Sequence, residues 1–204
     1  MDLDEAVRRA AALVRPGERR LLGLAGAPGA GKSTVAARLV GALAPDAVLV
    51  PMDGFHLAGA ELARLGRADR KGAPDTFDVA GYLHLLRRLR ERGDPVVYAP
   101  AFHREVEEAV AGELPVAADV PLVVTEGNYL LLDEGPWAAV RPLLDECWYV
   151  DVPDELRVER LVARHVAHGR SPEAARAWVV RSDERNAELV AASAHRADRR
   201  VHCS

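Results

Sequence analysis

A glycine-rich segment, residues 26–33, carries the clearest chemical signal in the sequence. It reads Gly-Ala-Pro-Gly-Ala-Gly-Lys-Ser and fits the spacing G-x-x-x-x-G-K-[ST] at every fixed position. In that spacing backbone N–H groups converge on phosphate oxygens, the lysine reaches the β- and γ-phosphates, and the hydroxyl can bind Mg²⁺. An apolar run before the segment and a helical pattern after it favour a nucleoside triphosphate site over a chance turn. The predicted nucleotide-binding residues here are Gly26, Ala27, Pro28, Gly29, Ala30, Gly31, Lys32, Ser33 and Thr34.

Two acidic residues end apolar runs that we expect to be strands of one sheet. Asp53 follows residues 47–52, and Glu126 follows residues 122–125. Open α/β folds bind ligands at the carboxyl edge of the sheet. There Asp53, on a strand expected beside the phosphate loop, could orient a hydroxyl group and accept its proton, and Glu126 could hold Mg²⁺ opposite Ser33. The alternatives are an ordinary Asp-Gly turn at residue 53 and a turn cap at residue 126.

A predicted lid, at about residues 154–185, begins with an arginine-bearing helix. Spacings of three and four residues put Arg157, Arg160 and Arg164 in one stripe, and Arg170 follows at the next turn. Planar guanidinium groups suit the charge spread over a transferring phosphoryl group. We therefore predict that Arg160, Arg164 and Arg170 bind the nucleotide. The alternative is a solvated face paired with nearby glutamates, and the two histidines of this helix are interpreted as plain helix residues.

Strand-like and helix-like patterns alternate along the chain. Strands are predicted at 21–25, 47–52, 96–98, 120–125 and 146–150, and helices at 3–14, from 33, at 79–91, 136–144, 154–169 and from 172. Asp78 and Ser171 are the predicted N-caps of two of these helices. The alternation predicts an α/β, three-layer P-loop fold, with a parallel sheet covered by helices on both faces. We expect residues 1–204 to form a single domain.

The composition is that of an ordinary globular protein. Of 204 residues, 49% are hydrophobic and 28% charged, and the net charge of −4 argues against a general nucleic-acid binder. No apolar run reaches the 18 or more residues that a membrane helix needs, and the N-terminus does not resemble a signal peptide. Two cysteines are too few for a disulfide framework. We therefore expect a cytoplasmic protein with neither a membrane nor a nucleic-acid partner. Its oligomeric state is left open, a homodimer being one option.

Two other nucleotide-binding classes lack support. GTPases ordinarily read guanine with an Asn-Lys-x-Asp segment, and neither Asn128 nor Asn186 is followed by lysine. The glycine turn also lacks the G-x-G-x-x-G of dinucleotide folds. A small-molecule kinase remains, together with a rival from another class: a nucleotide-binding accessory protein of a transport system, with little turnover.

Four further segments carry a family resemblance. They are Met-Asp-Gly-Phe-His at 52–56, Arg-Lys-Gly-Ala-Pro-Asp-Thr-Phe-Asp at 70–78, Tyr-Ala-Pro-Ala-Phe-His-Arg at 98–104 and Glu-Gly-Asn-Tyr-Leu at 126–130. In order and spacing they resemble the P-loop kinase group of uridine kinase, phosphoribulokinase and bacterial pantothenate kinase. The likeness is closest to the bacterial branch called nucleoside/nucleotide kinase or fructose-transport-associated kinase, and it covers nearly the whole chain.

The resemblance implies a nucleoside-monophosphate-kinase-like fold, ATP with Mg²⁺, and phosphorylation of a hydroxyl on a small molecule. It makes Asp53 the catalytic base and gives Glu126 to the magnesium, while Lys32 of the phosphate loop is the other predicted catalytic residue. The chain departs from related sequences at His103, where those often have an acidic residue. The predicted acceptor-binding residues are Asp53, His56, Lys71, Phe102, His103, Arg104 and Tyr129.

The acceptor itself is predicted from cations and aromatic rings in the same segments. Four cations suit a polar or anionic acceptor: Arg70, Lys71, His103 and Arg104. The aromatic residues of these segments are Phe55, Phe77, Phe102 and Tyr129. They could stack on a flat ring such as a nucleobase, or simply fill the core beneath the loops. The pattern favours a nucleoside or similar ribose-bearing metabolite; a fructose-like sugar and a pantothenate-like acceptor are the alternatives.

Overall fold

The structure, a computed structural model, describes residues 1–203. Its strands are β1 (Arg20–Ala25), β2 (Ala47–Leu49), β3 (Val96–His103), β4 (Glu108–Ala117), β5 (Leu122–Gly127), β6 (Glu146–Asp151) and β7 (Arg199–His202). Its α-helices are α1 (Leu3–Ala11), α2 (Lys32–Ala42), α3 (Gly59–Arg64), α4 (Val79–Glu91), α5 (Asp154–Ala167), α6 (Pro172–Trp178) and α7 (Glu184–Ala192). A π-helical segment, Val179–Asp183, joins α6 to α7.

Five strands form one sheet in the order β2-β5-β1-β6-β7, and every neighbouring pair is parallel. Successive side chains of β1 point to opposite faces, so that Leu21 packs in one apolar cluster and Leu22 in the other. The first cluster includes α4 and α7, and the second includes α1 and α2. This confirms the predicted parallel sheet with helices on both sides.

Two predicted helix starts are formed by the predicted side-chain caps. The Asp78 carboxylate accepts a hydrogen bond from the Gly81 N–H at 2.8 Å, and α4 begins at the next residue. The Ser171 hydroxyl accepts one from the Ala174 N–H at 3.2 Å, and α6 begins at Pro172. Each cap satisfies a backbone donor that has no partner inside the helix.

The strand order corrects one prediction. β5 lies between β2 and β1, so the strand that leads to Asp53 is not beside the strand that leads to the phosphate loop. β2 also ends at Leu49, and Asp53 lies beyond it in the 3-10 turn Met52–Phe55. Alternation along a chain predicts parallel strands, but it carries no information on which strands become neighbours. Asp53 nevertheless lies beyond the carboxyl end of its strand.

Two other predicted elements differ. The short strand at 96–98 is the start of β3, which pairs antiparallel with β4 in a separate two-stranded sheet. The helix predicted at 136–144 consists of two 3-10 segments, Gly135–Ala139 and Arg141–Leu143. A proline at the start of each segment fixes its own φ and lacks an N–H donor, which limits continuous α-helical bonding. Within residues 1–203, no helix combines the length and the apolar character required to cross a bilayer.

Candidate active site

The loop between β1 and α2 depends on its glycines. Gly29 and Gly31 have φ values of +82° and +90°, in the left-handed region that favours glycine. A Cβ on Gly29 would also lie 2.7 Å from the carbonyl oxygen of Arg157, and one on Gly26 would lie 2.8 Å from that of Val150. No side chain fits at these two positions without movement of the backbone. The sequence thus builds a cradle in which backbone can approach a ligand closely.

Lys32 begins α2 and is only 8% exposed. Its Nζ donates hydrogen bonds to the carbonyl oxygen of Ala27, at 3.1 Å, and to Oδ1 of Asn128, at 2.7 Å. Burial lowers the pKa of the amine. Phosphate oxygens could replace both acceptors. The carbonyl oxygen of Ala27 and Oδ1 of Asn128 are uncharged, whereas phosphate oxygens carry negative charge and bind an amine more strongly. Asn128 lies in the 126–130 segment of the family resemblance, but no pattern in the sequence predicts this contact.

Ser33 and Glu126 meet on the other side of the loop. The Ser33 hydroxyl donates to Oε1 of Glu126 at 2.9 Å, and Glu126 is only 6% exposed at the end of β5. Burial, and after it the charge of Asp53, raise the pKa of this carboxyl. A hydroxyl and a carboxylate are hard oxygen ligands of the kind that Mg²⁺ prefers, so the donor set fits the predicted metal.

The turn that carries Asp53 packs against the hairpin that β3 and β4 form. A Cβ on Gly54 would overlap the carbonyl oxygen of Pro100, so the Asp-Gly pair allows close packing of turn on β3. The Asp53 carboxylate accepts a hydrogen bond from the Arg104 guanidinium at 3.2 Å. Asp53 and Glu126 line the same cleft, together with Lys32 and Ser33 of the loop.

An aromatic wall lies next to Asp53. The His56 ring stacks on Phe77, with centroids 4.0 Å apart, and lies 4.8 Å from Phe102. The Nζ of Lys71 and the guanidinium of Arg104 lie 5.3 and 5.9 Å from the Phe102 centroid. Burial lowers the pKa of His56 to about 4, so its imidazole is neutral at pH 7. All five side chains line the cleft.

Two predicted acceptor residues lie outside the cleft lining. His103 Nε2 is 2.6 Å from a carboxylate oxygen of Glu113 on the hairpin, and this hydrogen bond raises the pKa of the imidazole. Tyr129 is fully buried, and its hydroxyl donates to the carbonyl oxygen of Gly72 at 2.5 Å. Tyr129 therefore supports the loop that holds Lys71, while Phe55 packs against the core.

The arginine stripe of α5 divides into two parts. Arg160 and Arg164 line the cleft, as does Arg170 beyond the helix. Arg157 is only 2% exposed and does not face the cleft; it forms ion pairs with Asp154 at 3.1 Å and with Glu184 at 2.8 Å. The prediction that Arg157 shares one stripe with Arg160 and Arg164 is wrong, because the half-buried Glu184 of α7 forms an ion pair with its guanidinium. The Arg170 guanidinium lies 4.1 Å above the Trp178 ring.

The cleft has a volume of about 590 Å³ and runs from the phosphate loop to the aromatic wall. Of the other predicted loop residues, Pro28 and Thr34 line it, whereas Ala27 and Ala30 are buried beneath it. The lining residues that sequence analysis did not assign to the site include Asn128, His165, His168, Trp178, Asp183 and Asn186. For Asp183 and Asn186 the sequence did offer a signal, because their i, i+3 spacing puts two polar side chains on one side of a helix.

The chain is similar in sequence to known proteins. A family model described as an AAA domain matches residues 21–189. The "ATP-dependent kinase-like protein notR'" of Aspergillus versicolor is 38% identical over 133 residues, which cover 62% of this chain and 77% of that protein. The "Putative uridine kinase C227.14" of Schizosaccharomyces pombe is 37% identical over 175 residues, or 81% of this chain and 72% of that protein.

A solved structure extends the likeness to the whole fold. The crystal structure described as a "putative fructose transport system kinase", from Silicibacter sp. TM1040, is 36% identical and superposes over 98% of both chains with a TM-score of 0.89. Its likeness therefore covers the phosphate loop, the hairpin and the α5–α7 region alike. The chain belongs to the P-loop kinase family that the AAA-domain model and these relatives represent.

Proposed function

We propose that this protein transfers the γ-phosphoryl group of ATP to a hydroxyl of a small molecule, a nucleoside or similar ribose-bearing metabolite. One observation carries the proposal: Asp53 lines the same cleft as Lys32 and Ser33 of the phosphate loop. A bound triphosphate and a carboxylate suited to a hydroxyl group would therefore share one enclosed space. In phosphoryl transfer, positioning of the reacting groups and electrostatic stabilisation together account for almost all of the catalysis.

The phosphate side would hold ATP through residues 26–34 and the three arginines that line the cleft from α5 and the turn after it. Lys32 would exchange its present oxygen partners for the β- and γ-phosphates. Arg160, Arg164 and Arg170 would stabilise charge that grows on the γ-phosphoryl oxygens during transfer. When bound, Mg²⁺ would neutralise phosphate charge, with Ser33 and Glu126 as its protein ligands, directly or through water.

Asp53 would accept the hydroxyl proton as the oxygen–phosphorus bond forms. Its hydrogen bond from Arg104 keeps the carboxylate in one orientation, facing the cleft. The neutral imidazole of His56 and the rings of Phe77 and Phe102 offer a flat surface for a base beside the sugar. Lys71 and Arg104 add donors for polar substituents. Two of the predicted acceptor residues would act indirectly. His103 would support the hairpin, and Tyr129 would support the loop at Gly72.

A screen of acceptors tests this proposal. ADP release from Mg-ATP is measured with ribonucleosides, pantothenate, ribulose 5-phosphate and fructose, each against a control without acceptor. We expect release to depend on a ribonucleoside and a phosphomonoester to appear in equal amount. Turnover of fructose without nucleosides would overturn the proposed acceptor. A rate equal to the control across the panel would favour the accessory-protein hypothesis.

A further inference from the structure

A buried carboxylate that the proposed reaction does not use lies in the wall of the cleft formed by the predicted lid. Asp183 is only 8% exposed and yet lines the cleft. One of its oxygens, Oδ2, lies 2.9 Å from Nε2 of His165. Among residues 1–203, the other oxygen has no hydrogen-bond donor. Because Asp183 lines the cleft and this oxygen is not sealed from solvent, it is open to hydrogen-bond donors from a ligand there.

Asn186 lies three residues later, on the same side of the helix. It is 9% exposed, lines the same cleft, and has its Nδ2 3.5 Å from the carbonyl oxygen of Gly72. Gly72 follows Lys71, one of the predicted acceptor residues. Asp183 and Asn186 therefore meet the acceptor side of the cleft rather than the solvent-exposed surface of α7.

The pair is held in a fixed relation to the phosphate loop. Glu184, directly after Asp183, forms a 2.8 Å ion pair with the buried guanidinium of Arg157. The backbone of Arg157 in turn lies directly against Gly29, where no Cβ would fit. The same stretch is π-helical, with the Glu184 N–H bonded to the carbonyl oxygen of Val179. Single π turns are rare and occur frequently at functional sites.

The surroundings favour a neutral ligand over a cation. His165 contacts the carboxylate, and Arg164 lies close enough for the charge of Asp183 to act on it. The Arg164 guanidinium already places a positive charge near this carboxylate, so a cationic ligand has little to gain. A neutral vicinal diol supplies two O–H donors at a spacing that one carboxylate can accept together, and an amide side chain can complete the set.

Resting on the proposed function, we propose that Asp183 and Asn186 bind the 2′- and 3′-hydroxyls of the ribose of the acceptor. The pair thus selects ribose over deoxyribose, while Asp53 serves the hydroxyl that is phosphorylated. A site built to hydrogen-bond a hydroxyl rejects the analogue that lacks it, because its buried polar groups are then left unpaired. His165 is a positioning residue that orients the carboxylate.

The test compares uridine and adenosine with their 2′-deoxy counterparts as acceptors, by kcat and KM, in wild type and in Asp183→Asn. Wild type is expected to prefer the ribonucleoside by about 10- to 100-fold in kcat/KM, the usual range for a hydrogen bond to a charged group. Asp183→Asn should bring that preference to within about threefold of unity, mainly by raising KM for the ribonucleoside. Glu188→Gln, an exposed position on α7, is the matched control and should keep the full preference.

The ratio of two substrates measured on one sample does not depend on the folded fraction, so partial unfolding of a variant cannot imitate the result. An Asp183→Ala variant provides a second measurement with the same expectation. Equal use of ribo and deoxy substrates by wild type, or a preference that survives Asp183→Asn, would overturn this inference and leave the kinase intact. Failure of wild type to phosphorylate any nucleoside, while ADP binds normally, would overturn the proposed acceptor class and this inference with it.

Discussion

At the scale of single residues, burial favours the neutral forms of two ionisable side chains in the cleft, Lys32 and Glu126. Burial lowers the pKa of the Lys32 amine and raises that of the Glu126 carboxyl. Both groups now make hydrogen bonds to neutral partners or backbone, at 2.7 to 3.1 Å. Phosphate oxygens beside the amine, and a cation beside the carboxyl, would favour the charged forms of both. Binding of a nucleotide with Mg²⁺ should therefore shift both pKa values back toward their ordinary range.

His56 provides a prediction for stability against pH. Its folded-state pKa of about 4 lies below the value of 6.5 for a solvated imidazole, so the unfolded chain binds the proton first. Stability is then lost as the pH falls from about 6.5 toward 4. Between pH 7.5 and 5 this residue alone should cost about 2 kcal/mol of unfolding free energy.

Urea unfolding of wild type and His56→Gln at both pH values measures that loss. The variant should be less stable at pH 7.5, because it loses the ring stack on Phe77, but its stability should fall less on acidification. His84→Gln, at an exposed position on α4, serves as the control and should follow wild type. Parallel pH curves for wild type and His56→Gln would contradict a buried neutral imidazole.

At the scale of elements, the sequence predicts those helices and loops whose signals lie within a few neighbouring residues, and it misses an element that depends on a distant contact. The phosphate loop, α4 and α6 were predicted from glycine spacing and side-chain caps, which act within a few residues. The β3–β4 hairpin was missed because its turn lacks the usual glycine or asparagine. Glu107 takes the left-handed conformation there, at φ +55°, and its carbonyl oxygen accepts a hydrogen bond from Lys71. That support comes from a distant loop and leaves no local signal.

The cleft-facing arginines lead to a prediction for the α5–α6 region. Charge on the transferring phosphoryl group is largest in the transition state, so Arg164→Ala should slow turnover more than it weakens ADP binding. A loss of about 100- to 1,000-fold in kcat is the usual range for one such donor. Steady-state rates and calorimetric ADP titration on the same sample measure both quantities.

Arg185→Ala, at an exposed position on α7, is the control for the removal of a positive charge and should behave as wild type. Arg160→Ala and Arg170→Ala distinguish the contributions of the other two arginines predicted to bind the nucleotide. Wild-type turnover in all three cleft variants would mean that these arginines only face solvent and that the γ-phosphoryl group is stabilised elsewhere.

At the scale of the whole molecule, the parallel sheet brings distant segments to one edge. The sequence predicted that Asp53, Glu126 and the phosphate loop would meet there, because carboxyl ends of parallel strands lie together. It did not predict that β5 separates β2 from β1, since strand order depends on crossovers rather than on local pattern. Asp183 and Asn186 were missed for a similar reason. They reach the cleft lining only because the π-helical segment and α7 pack across the loop at Gly72.

One variant tests the central claim that this cleft transfers a phosphoryl group to a hydroxyl oriented by Asp53. ADP affinity and acceptor-dependent turnover with a ribonucleoside are measured on the same preparation of Asp53→Asn. The control is Asp133→Asn, at an exposed position, and it should match wild type in both. The account predicts unchanged ADP affinity and turnover lowered by about 100-fold or more, the scale of a lost general base. Turnover within a few-fold of wild type in the folded variant would contradict it.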